Sequence, residues 1–209
     1  MQSTLAQREE WANVVTHGVG LALAVAACVY LPLAANSLTH AMTGLVFGIG
    51  LVCCYATSTG FHAAAKPQRK LVWRQLDHAA IYVLIAATYF AVLPFAPGGM
   101  SGWIMAGVVW AIAAVGMLRK FLMLKRGKSV GKLDLAIYIA LGWIWILAAV
   151  PIYSNLSTPA FLWLLAGGLA YTVGAIFFRL ERLPYNHAVW HVFVLAGSAG
   201  HFIVVAFFR

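Results

Sequence analysis

Charge is what this 209-residue sequence has least of: Asp, Glu, Lys and Arg make up 9% of it, and only five residues are acidic. A soluble domain of ordinary size has no polar exterior to draw on here. Cysteine is scarce too. Cys28, Cys53 and Cys54 are odd in number, lie inside apolar runs and lack C-x-x-C spacing, which excludes a disulfide scaffold and a thiolate metal site and leaves them as packing residues. The apolar runs do not alternate with polar residues, so an outer-membrane barrel is excluded. There is no convincing internal repeat, low-complexity tract or long linker, and residues 1–209 are expected to form one domain. The first apolar run follows Glu9 and Glu10 rather than a basic segment, so it is expected to be a retained helix and not a cleaved signal.

What is abundant is apolar length. Hydrophobic residues make up 63% of the chain and the mean hydropathy is +0.88. Judged against the roughly 20 residues needed to cross a bilayer, seven candidate spans emerge: 13–34, 41–65, 74–94, 102–122, 133–152, 159–179 and 187–208. The expected fold is an all-α seven-transmembrane helix bundle, since helices satisfy their own backbone in lipid. Gly44 and Gly48 form a small-xxx-small pair, expected to serve ordinary helix packing. Pro97-Gly98-Gly99 separates spans three and four. Asn186, after Pro184, is expected to cap the seventh span, and Trp73, Trp103 and Tyr153 to anchor span ends at the interface.

The net charge of +9 does not signal a nucleic-acid partner, because the basic residues sit in short loops on one side of the spans. Arg8, then Lys66 to Arg74, then Arg119 to Lys132, then Arg179 and Arg182 share that side, and of the 14 basic residues only Arg209 lies opposite. The positive-inside rule therefore places the N-terminus in the cytoplasm and the C-terminus outside, with the loops touching anionic headgroups. Glu9 and Glu10 read as surface residues before span one, and Asp134 as a helix-start residue favoured by the dipole.

The few polar residues inside the spans share one depth. His187 and His191 are an i,i+4 pair, which puts both imidazoles on one helix face about 6 Å apart along the axis. The zincin pattern fails, because Ala188 stands where the catalytic Glu would be. Ser198 and His201 fall within about 40° of the same stripe, although His201 lies about 15 Å further on, too far to share a metal. Span two ends with Ser58 one turn before His62, with Tyr55 on the same face, and span three opens with Asp77, with Thr88 above it. Alternating helix direction brings these ends, together with Asn13 and His17 of span one, to the same cytoplasmic layer. His78 points about 100° away from Asp77 and reads as a headgroup-facing or loop-packing residue, and His40 as a solvated loop residue.

Two readings of this layer compete. In one, His62, His187 and His191 hold Zn²⁺ with an open fourth position, Asp77 accepts a proton from water, and Ser58 orients Asp77 or the reacting group. In the other, the same groups are interhelical hydrogen-bond glue worth on the order of 1 kcal/mol each. Convergence of three histidines, an aspartate and a serine on one layer favours the first.

Four blocks carry a further observation: Glu10 with Asn13 and Thr16-His17-Gly18; Ser58 through His62; Leu76 through Tyr82; and Pro184 through His191 with His201-Phe202. With these the chain resembles bacterial hemolysin-III-like members of the progestin and adipoQ receptor (PAQR) superfamily across nearly its whole length. The resemblance implies a seven-helix bundle in the bacterial inner membrane with zinc on His62, His187 and His191, and Asp77 and Ser58 beside it. Because the superfamily includes receptors and alkaline ceramidases, it also implies membrane-lipid partners and hydrolysis of a lipid amide or ester. A membrane-state sensor with structural zinc, a lytic protein of hemolysin type, and bis-histidine haem binding are the alternatives.

Overall fold

The computed structural model describes residues 2–92, 100–125, 132–148 and 156–208. These residues form seven helices and no strand: α1 (Gln2–Leu33), α2 (Leu38–Ala63), α3 (Pro67–Val92), α4 (Met100–Lys125), α5 (Lys132–Trp143) running into a 3₁₀ turn (Ile144–Ala148), α6 (Thr158–Arg179) and α7 (Asn186–Phe207). Six of them are long and apolar enough to cross a membrane, and α5 contributes a shorter apolar helix. Large apolar side chains such as Leu23, Val29, Val115 and Ile176 face outward, as a lipid-immersed bundle requires.

Local chemistry sets the helix starts. The Ser37 side chain accepts a hydrogen bond from the His40 N–H at the head of α2, and Ser157 does the same for Ala160 at the head of α6. Pro67 opens α3, where its missing N–H costs nothing. Two starts differ from expectation. The first helix begins eleven residues before the apolar span, because its polar first turns find partners on other elements, described below. In α7, Asn186 is the first helical residue and Tyr185 occupies the cap position, left-handed at φ 57° and without a side-chain cap. The Asn186 amide instead donates to the Phe178 carbonyl of α6 at 3.0 Å.

Sequential helices pack on one another, α7 closes back onto α1, and α5 sits between α3 and α6. The α1–α2 contact depends on Gly48: a Cβ there would lie 2.5 Å from the Cys28 Cα, so only glycine permits this approach. Gly44 faces Leu31 in the same interface, as the small-xxx-small pair predicts. Gly116 of α4 plays the same part for the Tyr82 ring of α3. Trp73 is half-buried against Gly60, whereas Trp103 is exposed. The Pro97-Gly98-Gly99 turn and Tyr153 lie outside the described residues.

The fifth span is not one continuous α-helix. It tightens into 3₁₀ geometry at Ile144, and the backbone groups this releases need partners in an apolar interior. Tyr89 of α3 supplies them: its hydroxyl accepts from the Trp145 N–H at 3.0 Å and donates to the Leu141 carbonyl at 2.9 Å.

Asp134 lies in the first turn of α5, where the dipole favours it, yet it does more than sit at a helix start. Its side chain is 1% exposed and ion-paired with Lys120 Nζ of α4 at 2.8 Å and with Arg119. Lys120 is itself only 1% exposed, so it belongs to the packed interior and not to a basic loop, and its ammonium stands over the Tyr138 ring. Replacing Asp134 leaves the buried Lys120 ammonium without its carboxylate, and Asp134→Asn is expected to cost about 3–5 kcal/mol, with Lys120→Met costing less because Asp134 keeps Arg119. The Lys120→Met/Asp134→Leu double variant is expected to lose less than either single one, measured by denaturant unfolding in detergent micelles. Equal stability of all variants would show that the pair is solvated. Gly48→Ala forces α1 and α2 apart and is expected to destabilise by about 1–3 kcal/mol, while Gly107→Ala in α4, where a Cβ meets nothing within 4 Å, is tolerated in the same assay.

Candidate metal centre

The ends of α2, α3 and α7, with the start of α1, meet at one depth. His62, in the last turn of α2, and His187 and His191, in the first two turns of α7, offer ligand atoms that all lie within 4.8 Å of one another. Their ring centroids form a tight triangle: His62–His187 4.7 Å, His62–His191 5.1 Å and His187–His191 4.6 Å. His62 and His191 are buried, and His187 is partly buried beside Phe178. The i,i+4 spacing on α7 does what the sequence requires of it, and His62 completes the set from a helix far away in the chain.

Each outer nitrogen is engaged where a partner is present. The His62 Nδ1–H donates to Glu10 Oε2 at 2.7 Å, and Glu10 Oε1 accepts from Lys70 Nζ at 2.6 Å. His191 Nδ1 and Thr16 Oγ1 are hydrogen-bonded at 3.1 Å. The His62 Nε2, by contrast, is buried and has no partner among the described residues. A buried lone pair without a partner is costly, and here it faces two other imidazoles. Three imidazole nitrogens with an open fourth side are the donor set of a tetrahedral zinc or similar transition-metal site, and these residues fit one.

Asp77 and Ser58 stand beside this group. A hydrogen bond joins the Ser58 hydroxyl to the Asp77 carboxylate, and both residues are buried. Asp77, Ser58, His17, His187 and His191 line a single cavity of about 440 Å³ within the bundle. From Asp77 the wall follows one stripe of α3 through Ile81, Leu84, Ile85, Thr88 and Tyr89 to Val92. Fifteen residues of helix give this wall a length of about 22 Å. The opposite wall is largely apolar and aromatic, from Leu135, Ile139, Trp143 and Trp145 to Leu164 and Val194. The end at Asp77 and the histidines is polar, and the rest is largely apolar with Thr88, Tyr171, Thr172 and His201 set into it. His62 lies behind His187 and His191 and does not line it.

Other sequence-derived assignments are refined. His17 stacks on His191 with ring centroids 3.4 Å apart and meets Tyr55 edge-on at 5.0 Å. His201 and Ser198 do share the face of His187 and His191. His201 lines the far part of the cavity, with Nε2–H donating to the Leu164 carbonyl at 3.3 Å, and Ser198 is held by the Tyr55 hydroxyl at 2.7 Å and the Tyr171 hydroxyl at 2.9 Å. His78 does not face headgroups: it lines the cavity and donates from Nδ1 to the Arg74 carbonyl at 2.5 Å. His40 lies in the first turn of α2 against Asn36, not in a loop. Cys54, read as packing, also reaches the cavity wall.

Glu9 and Glu10 are the residues whose part was missed. They are not free surface carboxylates: Glu10 bridges His62 and Lys70, and Glu9 Oε1 accepts the Tyr185 N–H at 2.9 Å, holding the entrance to α7. The signal was present in the phase of the sequence, since Glu10, Asn13 and His17 follow i, i+3, i+7 spacing and so share one stripe of a helix that continues upstream of the apolar span.

Comparison with known proteins agrees with this picture. The family described as Haemolysin-III related matches residues 5–202. The chain is 39% identical to Hemolysin-3 of Bacillus cereus over 96% of its own length and 92% of that protein's. It is 38% identical to the Hemolysin-3 homolog of Bacillus subtilis (strain 168), covering 96% and 94%. It is also 28% identical to the monocyte to macrophage differentiation factor of Homo sapiens, over 94% of this chain and 83% of that one. The match takes in every helix described above, including the two that carry the three histidines, and with its apolar helices the chain is a multi-pass membrane protein. It belongs to the Haemolysin-III related family.

Proposed function

We propose that this protein is a zinc-containing membrane hydrolase that cleaves an amide or ester bond of a lipid, with its basic loops and N-terminus in the cytoplasm. The observation that carries the reading is the meeting of a three-histidine donor set with the Asp77–Ser58 pair at the polar end of a long apolar cavity. His62, His187 and His191 would hold the ion. When bound, zinc supplies a Lewis acid for the substrate carbonyl.

The remaining work falls to the chain's own groups. The apolar wall along α3 and α5 takes up an acyl chain and keeps bulk water from the reacting bond. Asp77 accepts a proton from the attacking water as its oxygen bonds to the carbonyl carbon. It then returns that proton to the departing nitrogen or oxygen as the amide or ester bond breaks, leaving a carboxylic acid and an amine or alcohol. Ser58 keeps the Asp77 carboxylate in one orientation through this exchange.

A second reading, a sensor that binds lipid without turnover, shares the cavity and the metal but needs no proton acceptor, and a buried Asp77 at the polar end favours catalysis over it. The names of the bacillar relatives suggest lysis. Polar lining concentrated at one end of the cavity supports enclosure of a ligand more than a conducting lane.

Two measurements test the proposal. Mass spectrometry of detergent-purified protein is expected to find about one zinc per chain, lost in His62→Ala and in the His187→Ala/His191→Ala double variant. Zinc absent from folded wild type, or unchanged in the variants, returns the histidines to helix glue. In liposomes containing long-chain lipid amides and esters, the wild type is expected to release fatty acid, and Asp77→Ala to keep its zinc and fold while losing turnover by about 10²–10⁴-fold. Ligand-dependent thermal stability without product, in wild type with full zinc, would replace the hydrolase by the sensor.

A further inference from the structure

An imidazole can direct only one nitrogen at a metal, and which one it directs depends on where the other places its proton. For two of the three histidines the acceptor comes from α1, and in both cases it has no hydrogen to offer in return. Glu10, ionised beside Lys70, is acceptor only. Thr16 has spent its hydroxyl hydrogen within its own helix, donating to the Ala12 carbonyl at 2.8 Å and toward the Asn13 carbonyl at 3.1 Å. What it turns to His191 is a lone pair. Both contacts therefore demand the Nδ1–H form and leave Nε2 as the free electron pair, and the orphaned Nε2 of buried His62 is that pair seen directly.

We propose, resting on the metal reading above, that α1 is the outer-sphere arm of the metal site, with Glu10 and Thr16 as positioning residues that fix His62 and His191 in the metal-binding tautomer. Glu10 adds charge as well as direction: a carboxylate behind an imidazole raises its basicity toward the ion. The contact survives in a competitive setting, because the Glu10 and Lys70 side chains are 39% and 34% exposed while His62 is 3% exposed, so the carboxylate reaches inward from a partly wet position. The placement also explains why the helix runs polar for eleven residues before its apolar span. Residues 10 and 16 lie six apart and about 120° apart around α1, so one reaches His62 of α2 and the other His191 of α7, and the Glu9 bond to the Tyr185 N–H fixes the start of α7 from the turn of Glu10. Without this extension His62 loses the acceptor on its Nδ1.

The test is zinc affinity, read by competition with a chromogenic chelator in detergent, for wild type, Glu10→Ala, Glu10→Gln, Thr16→Val and Thr16→Ser. Glu10→Ala and Thr16→Val are expected to weaken zinc binding by about 10–100-fold each. Thr16→Ser, which keeps the hydroxyl, is expected to bind as wild type does. Glu10→Gln, which keeps an acceptor oxygen without its charge, is expected to fall between Ala and wild type. A structural role is separated by the thermal midpoints of the metal-free proteins, expected to match metal-free wild type. If Glu10→Ala does not fold, because Lys70 loses its partner, the near-isosteric Thr16→Val and its Ser rescue decide alone. Variants that bind zinc as tightly as a zinc-binding wild type, or whose loss is matched by metal-free destabilisation, overturn the outer-sphere arm and leave the metal site standing. A wild type that takes up no zinc overturns both.

Discussion

A polar side chain inside a bilayer has no water to fall back on, so every imidazole and carboxylate placed there must be answered by another group of the protein. The histidine layer of this bundle is the densest instance, and the arrangement of the helices around it follows from that demand. His62 is answered on one side by Glu10, His191 by Thr16, Asp77 by Ser58, and Glu10 in turn by Lys70. These bonds tie α1 to α2, α1 to α7, α2 to α3, and α1 to α3. The helices that surround the site are held in register by the site itself, while the close glycine contacts between α1 and α2 set their separation.

The far side of the bundle obeys the same constraint with different means. There α4, α5 and α6 pack chiefly through aromatic and aliphatic groups, and the polar exceptions are again paired. Asp134 is met by Lys120 and Arg119, and the 3₁₀ end of α5 is met by Tyr89. Both devices border the cavity, whose wall includes Asp134 and Tyr89. A buried ion pair at the head of α5 and a tyrosine at its tail fix both ends of this short helix.

Most of the fold and the inner site were legible in the sequence because both are written in local periodicity. Span lengths follow from apolar runs, and the His187–His191 face, the Ser58–His62 turn and the Asp77 start each follow from spacing within one helix. Alternating direction then brings them to one depth. What was not legible depends on pairs distant in the chain. Glu9 and Glu10 looked like surface acids because their partners, Tyr185, His62 and Lys70, are 176, 52 and 60 residues away. Lys120 looked like a loop base because it sits next to Arg119 at the end of an apolar run, and only Asp134, across a loop, explains its burial. Asn186 looked like a cap because its side chain suits one, but the carbonyl of Phe178 at the end of α6 was the stronger claim on it.

Charge balance adds a reason for the two carboxylates to lie on opposite sides of the histidines. Three neutral imidazoles leave the full charge of a dication uncompensated, and in a medium of low dielectric that residual is expensive. With a dication bound, Asp77 on the cavity side and Glu10 on the outer side would offset part of its charge, the Glu10 share being reduced by Lys70. Their environments divide the work between them. Glu10 is partly exposed and shared with Lys70, so its charge is moderated and its oxygen is fixed on an imidazole, a position suited to holding ligands still. Asp77 is buried, faces the cavity and is hydrogen-bonded to the neutral Ser58 hydroxyl, so its carboxylate borders whatever occupies that space. In the proposed reading the same electrostatic need is met twice, once by a group that orients the donor set and once by a group that would exchange a proton with a substrate.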